Sequence, residues 1–185
     1  MARTKKEFSV RDLIFIAIFT AAICLISPWT FGSAGSAGIP VTAATCILCL
    51  TAAVLGFKRG LICVVIYLIL GALGVPVLAG WDGGYMNFIG SCAGYLVGYL
   101  ALVAISGIII DRNPKNAYMY FVGMIAGVAF CCLLGSIWLM VYSKVDFIVA
   151  LNSGFRPFLS AECIKIFIAA MIGYPLRGLV KRVIN

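Results

Sequence analysis

The chain has 185 residues, 64% of them hydrophobic and only 11% charged, with a mean hydropathy of +1.14. Soluble domains carry about a quarter charged residues, so a water-soluble globule is excluded and the surplus apolar surface must face lipid. The net charge of +8 does not mark a nucleic-acid surface, because the basic residues sit singly or in pairs at the ends of apolar runs, where membrane topology places them.

About 20 apolar residues span the hydrocarbon core of a bilayer. Six runs approach that length: residues 13–28, 41–57, 61–79, 85–110, 117–142 and 158–176. They predict an all-α integral membrane protein, a compact bundle of six transmembrane helices forming one domain over residues 1–185. The first run comes after a basic segment, residues 1–11, and so resembles a secretory signal at first sight. The chain beyond it is more membrane rather than a soluble domain, so it reads as the first helix. The first two runs are short, which tilting, local thinning of the bilayer or extension into the flanks accommodates. Lys58, Arg59 and Gly60 make a tight connection, so the second and third helices are expected to be antiparallel neighbours. Small residues recur at fourth places: Ala17 and Ala21 on the first helix, Gly90, Gly94 and Gly98 on the fourth, Gly123 and Gly127 on the fifth. Such spacing lets helix backbones approach closely.

The charges orient the bundle. With the N-terminus inside, 11 basic residues face the cytoplasm, from Arg3 to Arg182, and only Lys144 and Arg156 lie outside. The positive-inside rule then gives an N-in, C-in topology. The expected outer loops are rich in glycine: residues 31–38, residues 80–84 and the stretch around Asn152 and Gly154. Three such loops on one face suit a lid over a ligand, since a glycine backbone can approach it closely.

Little points to catalysis. There is no histidine, no HExxH pattern and no phosphate-binding loop. The eight cysteines lie in apolar stretches, which suits packing better than metal or redox chemistry. No enzyme, cofactor or metal is expected. The informative residues are polar groups in apolar surroundings. Glu162 and Lys165 stand three apart and share one helix face. An ionisable residue within a span is expensive and by default functional. Asn87 is a third polar group, at the outer start of the fourth run. Tyr95 and Trp138 are candidate walls of an apolar pocket, whereas Trp29 and Trp81, at run ends, suit the interfacial belt. Asp82 and Asp146 are expected in solvated outer loops.

Four stretches carry a resemblance over most of the chain. They are Ile39, Pro40 and Thr42 before the second helix; Gly71, Gly74 and Pro76 at the end of the third; Gly83 and Gly84 through Gly90, Gly94 and Gly98 into the fourth; and Pro157 and Phe158 through Glu162 and Lys165 on the sixth. Together they resemble the biotin-specific substrate-binding (S) component of energy-coupling factor (ECF) transporters, the BioY family. Three positions depart from the family pattern: Ala44 stands where glutamine is usual, Ser91, Cys92 and Ala93 replace a Pro-Thr/Ser-Gly step, and Glu162 replaces aspartate.

The resemblance implies a multi-pass protein of a prokaryotic plasma membrane. It would capture biotin from outside and work with a membrane coupling subunit and two cytoplasmic ATPases. It implies ligand contacts at Glu162, Lys165, Asn87, Tyr95, Trp138 and Thr42, with Arg156 near the ligand carboxylate. It also implies a partner-facing AxxxA motif at Ala17 and Ala21. Lys165 is expected to donate to the ureido carbonyl, and Glu162 and Asn87 to accept from the ureido N–H groups. Two other readings stay open on the residues alone: an S component for a flavin or thiamine, and a ligand-free membrane scaffold in which Glu162 and Lys165 pin the sixth helix.

Overall fold

Helix α1 (Val10–Ile26) is fixed at its start by Asp12, which accepts the Ser9 N–H at 3.2 Å and pairs with Arg59 at 2.9 Å. An acid in the first turn ties off a free N–H and suits the helix dipole. The structure, a computed structural model, describes residues 9–34, 39–144, 146, 148–149 and 158–184. After α1 the chain forms an antiparallel hairpin of β1 (Thr30–Ala34) and β2 (Ile39–Thr42), with Thr30 opposite Thr42. Much of the expected first outer loop is therefore strand, and the second helix begins at Ala44 rather than at residue 41.

Helix α2 (Ala44–Ala72) is interrupted at Gly56, whose φ is 74° and ψ −167°. Thr45 and Tyr67 line one cavity, although a straight helix would hold them about 33 Å apart. The chain thus folds back on itself at Gly56. The sequence suggested the reversal at Lys58, Arg59 and Gly60, but these three are helical. Gly56 makes the turn because only glycine adopts this backbone region without strain. Asp111 then accepts the freed Phe57 N–H at 2.9 Å. Gly60 packs closely on the Val103 side chain, since a Cβ there would lie 3.0 Å from Val103 Cγ1.

The second half of α2 stops at Ala72, well short of residue 79, and residues 73–92 cross one end of the bundle without α-helix. This segment is anchored by Gly84 N–H to the Gly71 carbonyl at 2.7 Å and by Gly80 N–H to the Pro28 carbonyl at 2.9 Å. A 3₁₀ turn, Tyr85–Phe88, leads to α3 (Ala93–Arg112). The fourth run is thus split, and Gly90 precedes the helix it was expected to join. Asn116 caps α4 (Ala117–Ser143) by accepting the Tyr118 N–H at 3.1 Å, and α5 (Phe158–Ile184) completes the fold.

The glycines placed on the fourth and fifth runs serve the α3–α4 interface. Gly98 faces Cys131, Gly127 faces Ser106, and the Ser106 hydroxyl donates to the Gly123 carbonyl at 2.9 Å. One buried apolar cluster draws on all five helices, with Ile23, Leu48, Val64, Leu102, Met124 and Ala169 among its members. Outward faces are apolar as well, including Ile18, Ile69, Val97, Ile125 and Ile164. Among the described residues, four helical segments are by length and composition apolar enough to cross a membrane: Ala44–Ala72, taken as one length across its reversal at Gly56, Ala93–Arg112, Ala117–Ser143 and Ala161–Val183. Helix α1 has 17 residues, about 25 Å.

Candidate functional site

A cavity of about 230 Å³ opens between the two halves of α2, α3, α4 and α5, under residues 78–92. Its walls are mostly apolar or aromatic: Leu96, Tyr95 and Tyr99 from α3, Val128, Cys131 and Cys132 from α4, Tyr67 from the second half of α2. Apolar walls with a few convergent polar groups are the usual make-up of a small-molecule site.

The polar focus is built on α5 and the start of α2. Lys165 Nζ donates to Glu162 Oε1 at 2.7 Å, to the Thr42 backbone carbonyl at 2.7 Å and to Thr45 Oγ1 at 3.2 Å. The Thr45 hydroxyl in turn donates to Glu162 Oε1 at 2.8 Å. An ammonium has three donors, so Lys165 is saturated by these contacts. Glu162 is only 5% exposed and lines the cavity, and its second oxygen, Oε2, is buried without a hydrogen-bond partner among the described residues. Leaving such an acceptor unpaired costs about 1–3 kcal/mol, more when it is charged. The arrangement fixes a carboxylate by one oxygen and presents the other to whatever N–H donor enters the cavity.

The residues selected from the sequence divide accordingly. Glu162, Asn87, Tyr95 and Thr42 all line the cavity. Lys165 is not among the lining residues, and its three donors go to Glu162, Thr45 and the Thr42 carbonyl. Trp138 is apart from the lining, partly exposed, with its indole N–H donating to the Gly90 carbonyl at 2.9 Å. Arg156 lies outside the described residues. Ala17 and Ala21 are exposed on α1 and do not line the cavity. Asp82, read as a solvated loop residue, is exposed but does line it. Sequence reasoning missed Thr45, Tyr99 and the Tyr67–Ser27 pair, whose hydroxyl oxygens are 2.6 Å apart. Thr45 had a signal, a hydroxyl one turn after Thr42 in an otherwise apolar run; Tyr67 and Tyr99 had none, being single aromatics in membrane helices. Among the described residues no cluster of potential metal ligands occurs.

A family model described as the BioY family matches residues 2–182. The chain belongs to the BioY family. Similar curated BioY proteins include the biotin transporter BioY of Thermotoga maritima, 34% identical with 92% of this chain and 98% of that protein covered. Another is the biotin transporter BioY of Rhizobium etli, 31% identical with 91% and 97% covered. Among solved structures, the S-component for biotin from an ECF-type ABC transporter superposes with a TM-score of 0.86 at 27% identity, covering 96% of this chain and 95% of that one. The BioY family is one of multi-pass membrane transporter components, not enzymes, and this chain is a membrane protein of that class.

Proposed function

We propose that this chain is the substrate-binding S component of an ECF-type vitamin transporter and that it captures biotin from the extracellular side. The observation that carries the reading is the buried, unpartnered Glu162 Oε2 on the wall of an otherwise apolar cavity. Biotin's ureido ring supplies N–H donors for that oxygen, and Asn87 offers both an acceptor and donors to the rest of the urea. Tyr95, Tyr99, Leu96 and Val128 suit the thiophane ring and the aliphatic chain. Lys165 holds Glu162 in orientation through Oε1. The ligand head is neutral, so the buried pair stays charge-balanced, which a low-dielectric site requires. Mass spectrometry of small molecules released from detergent-purified protein tests the assignment. Biotin is the expected species, and a protein that carries none and binds none by calorimetry overturns it.

The whole chain acts as one membrane domain with six crossings and both termini in the cytoplasm. The fold-back at Gly56, which makes two crossings of α2, and the bias of 11 basic residues to 2 support this. Single cysteines at Arg3, Asp82, Asn113 and Asn152, placed in a background without the native thiols, are expected to label from the outside only at 82 and 152. Cytoplasmic labelling of either of those two sinks the topology.

Transport requires partners: a membrane coupling subunit and two cytoplasmic ATPases. Ala17 and Ala21, exposed on α1 and away from the cavity, support that face as the contact for the coupling subunit, because two alanines at i, i+4 admit a close helix. Replacing both by tryptophan is expected to abolish ATP-dependent uptake while biotin affinity stays within about threefold. Equal loss of binding would assign the stripe to packing inside the bundle.

A further inference from the structure

The charges of the described residues that line the cavity are one-sided. Among the described lining residues there is no lysine or arginine, whereas Glu162 and Asp82 both contribute carboxylates. Lys165, beside the cavity, spends its three donors on Glu162, Thr45 and the Thr42 carbonyl. Asp82 is exposed and belongs to the segment that covers the cavity, which marks it as a residue of the mouth. It is held there by its own backbone and side chain. Its carbonyl accepts the Leu78 N–H at 2.9 Å, and its Oδ1 accepts the Gly83 N–H at 2.7 Å.

A ligand whose ureido head meets Glu162 turns its other end toward this mouth. For biotin that end is a carboxylate, and it meets a fixed negative charge. Like charges facing each other in a largely aqueous mouth weaken binding only modestly, about two- to fivefold at low ionic strength. A carboxamide in the same place carries no charge, and its N–H is a donor for the Asp82 carboxylate.

Resting on the biotin reading above, we propose that the site selects the head of the ligand and not its acid. It therefore takes biotin amides, biotin joined through its carboxyl group to ammonia or an amine, as well as free biotin, and Asp82 sets the preference between them.

Calorimetric titration of the full-length protein in detergent with biotin and with biotinamide tests this. On the unaltered protein the amide is expected to bind within threefold of biotin or more tightly; an amide more than threefold weaker overturns the proposal. Asp82→Asn keeps the acceptor for the Gly83 N–H and removes the charge. It is expected to tighten biotin two- to fivefold at low salt, to do nothing comparable for the amide, and to lose its effect at high salt. No gain for biotin in a folded Asp82→Asn protein also overturns it. Arg156→Ala serves as the control for a cation reaching the mouth, and a loss of more than tenfold confined to biotin overturns the proposal by showing that a cation holds the acid. If biotin binds and the amide does not, only this inference fails; if neither binds, the biotin reading fails with it.

Discussion

Glu162→Ala is expected to weaken biotin binding by about 30- to 5,000-fold, the range set by losing one partner of a buried, charged hydrogen-bonded pair at about 2–5 kcal/mol. The substitution removes the acceptor that faces the cavity and leaves the part-buried Lys165 with only Thr42 and Thr45 as partners. Lys165→Ala is expected to fall in the same range, because Glu162 then loses its counter-charge and one of the two donors that fix Oε1. From the residue types alone, Glu162→Gln looks mild, since shape and one acceptor survive. The geometry reverses that expectation. Lys165 and Thr45 both donate to the Oε1 position, so the amide oxygen is held there and its NH₂ group faces the ligand's N–H. Two donors then oppose each other, and Glu162→Gln should be nearly as damaging as Glu162→Ala. The double variant Glu162→Gln with Lys165→Ala frees the amide to turn its oxygen to the ligand and carries no buried charge. It is expected to bind biotin at least tenfold more tightly than the two single losses predict when added. Strict additivity in calorimetry would mean that Lys165 does not orient Glu162.

The pair is legible because it violates the chain's own composition: an acid and a base three apart in an apolar run admit few explanations. Its division of labour is not. That Lys165 donates to the Thr42 carbonyl and Thr45 depends on where β2 hands over to α2, 123 and 120 residues away in sequence. The hairpin itself reads as loop because glycine, serine and alanine have low strand propensity, and pairing between β1 and β2 overrides it. Residues 73–92 mislead in the opposite direction. Hydropathy counts Val75, Val77, Leu78, Tyr85, Phe88 and Ile89 as span, whereas Gly74, Pro76, Gly80 and the Gly83–Gly84 step break the helix and form the cover of the cavity. Trp138 is an aromatic of the right helix, but periodicity alone does not say which side of α4 faces inward when the helix is apolar all round.

Gly56 gives the last expectation, and nothing in its local sequence announces it. Three groups meet at the fold-back of α2: Asp111 accepts the Phe57 N–H at 2.9 Å, Arg177 pairs with Asp111, and the other terminal nitrogen of Arg177 donates to the Ala53 carbonyl at 3.0 Å. Each helix end exposed by the break thereby gains one partner, the acid for an N–H and the base for a carbonyl. Arg177 is 4% exposed and serves two acceptors at once, one from each terminal nitrogen of its planar guanidinium fork. Gly56→Ala strains this junction twice. The backbone at φ 74° and ψ −167° lies in a region essentially restricted to glycine, at a cost of about 1–3 kcal/mol. The added Cβ would also lie 2.5 Å from Asp111 Oδ1 and 2.7 Å from Oδ2, so the carboxylate must move and give up its bonds. The combined loss is expected at about 2–5 kcal/mol, read as a lower midpoint in unfolding from mixed micelles. The two contributions separate in a double-mutant cycle. Asp111→Ala alone should cost less, about 1–2 kcal/mol, because its carboxylate is 41% exposed and water replaces part of what is lost. In that background Gly56→Ala should cost only the backbone strain. If Gly56→Ala is equally costly with and without Asp111, the carboxylate does not crowd the turn; if it costs nothing in either, the chain does not reverse at Gly56.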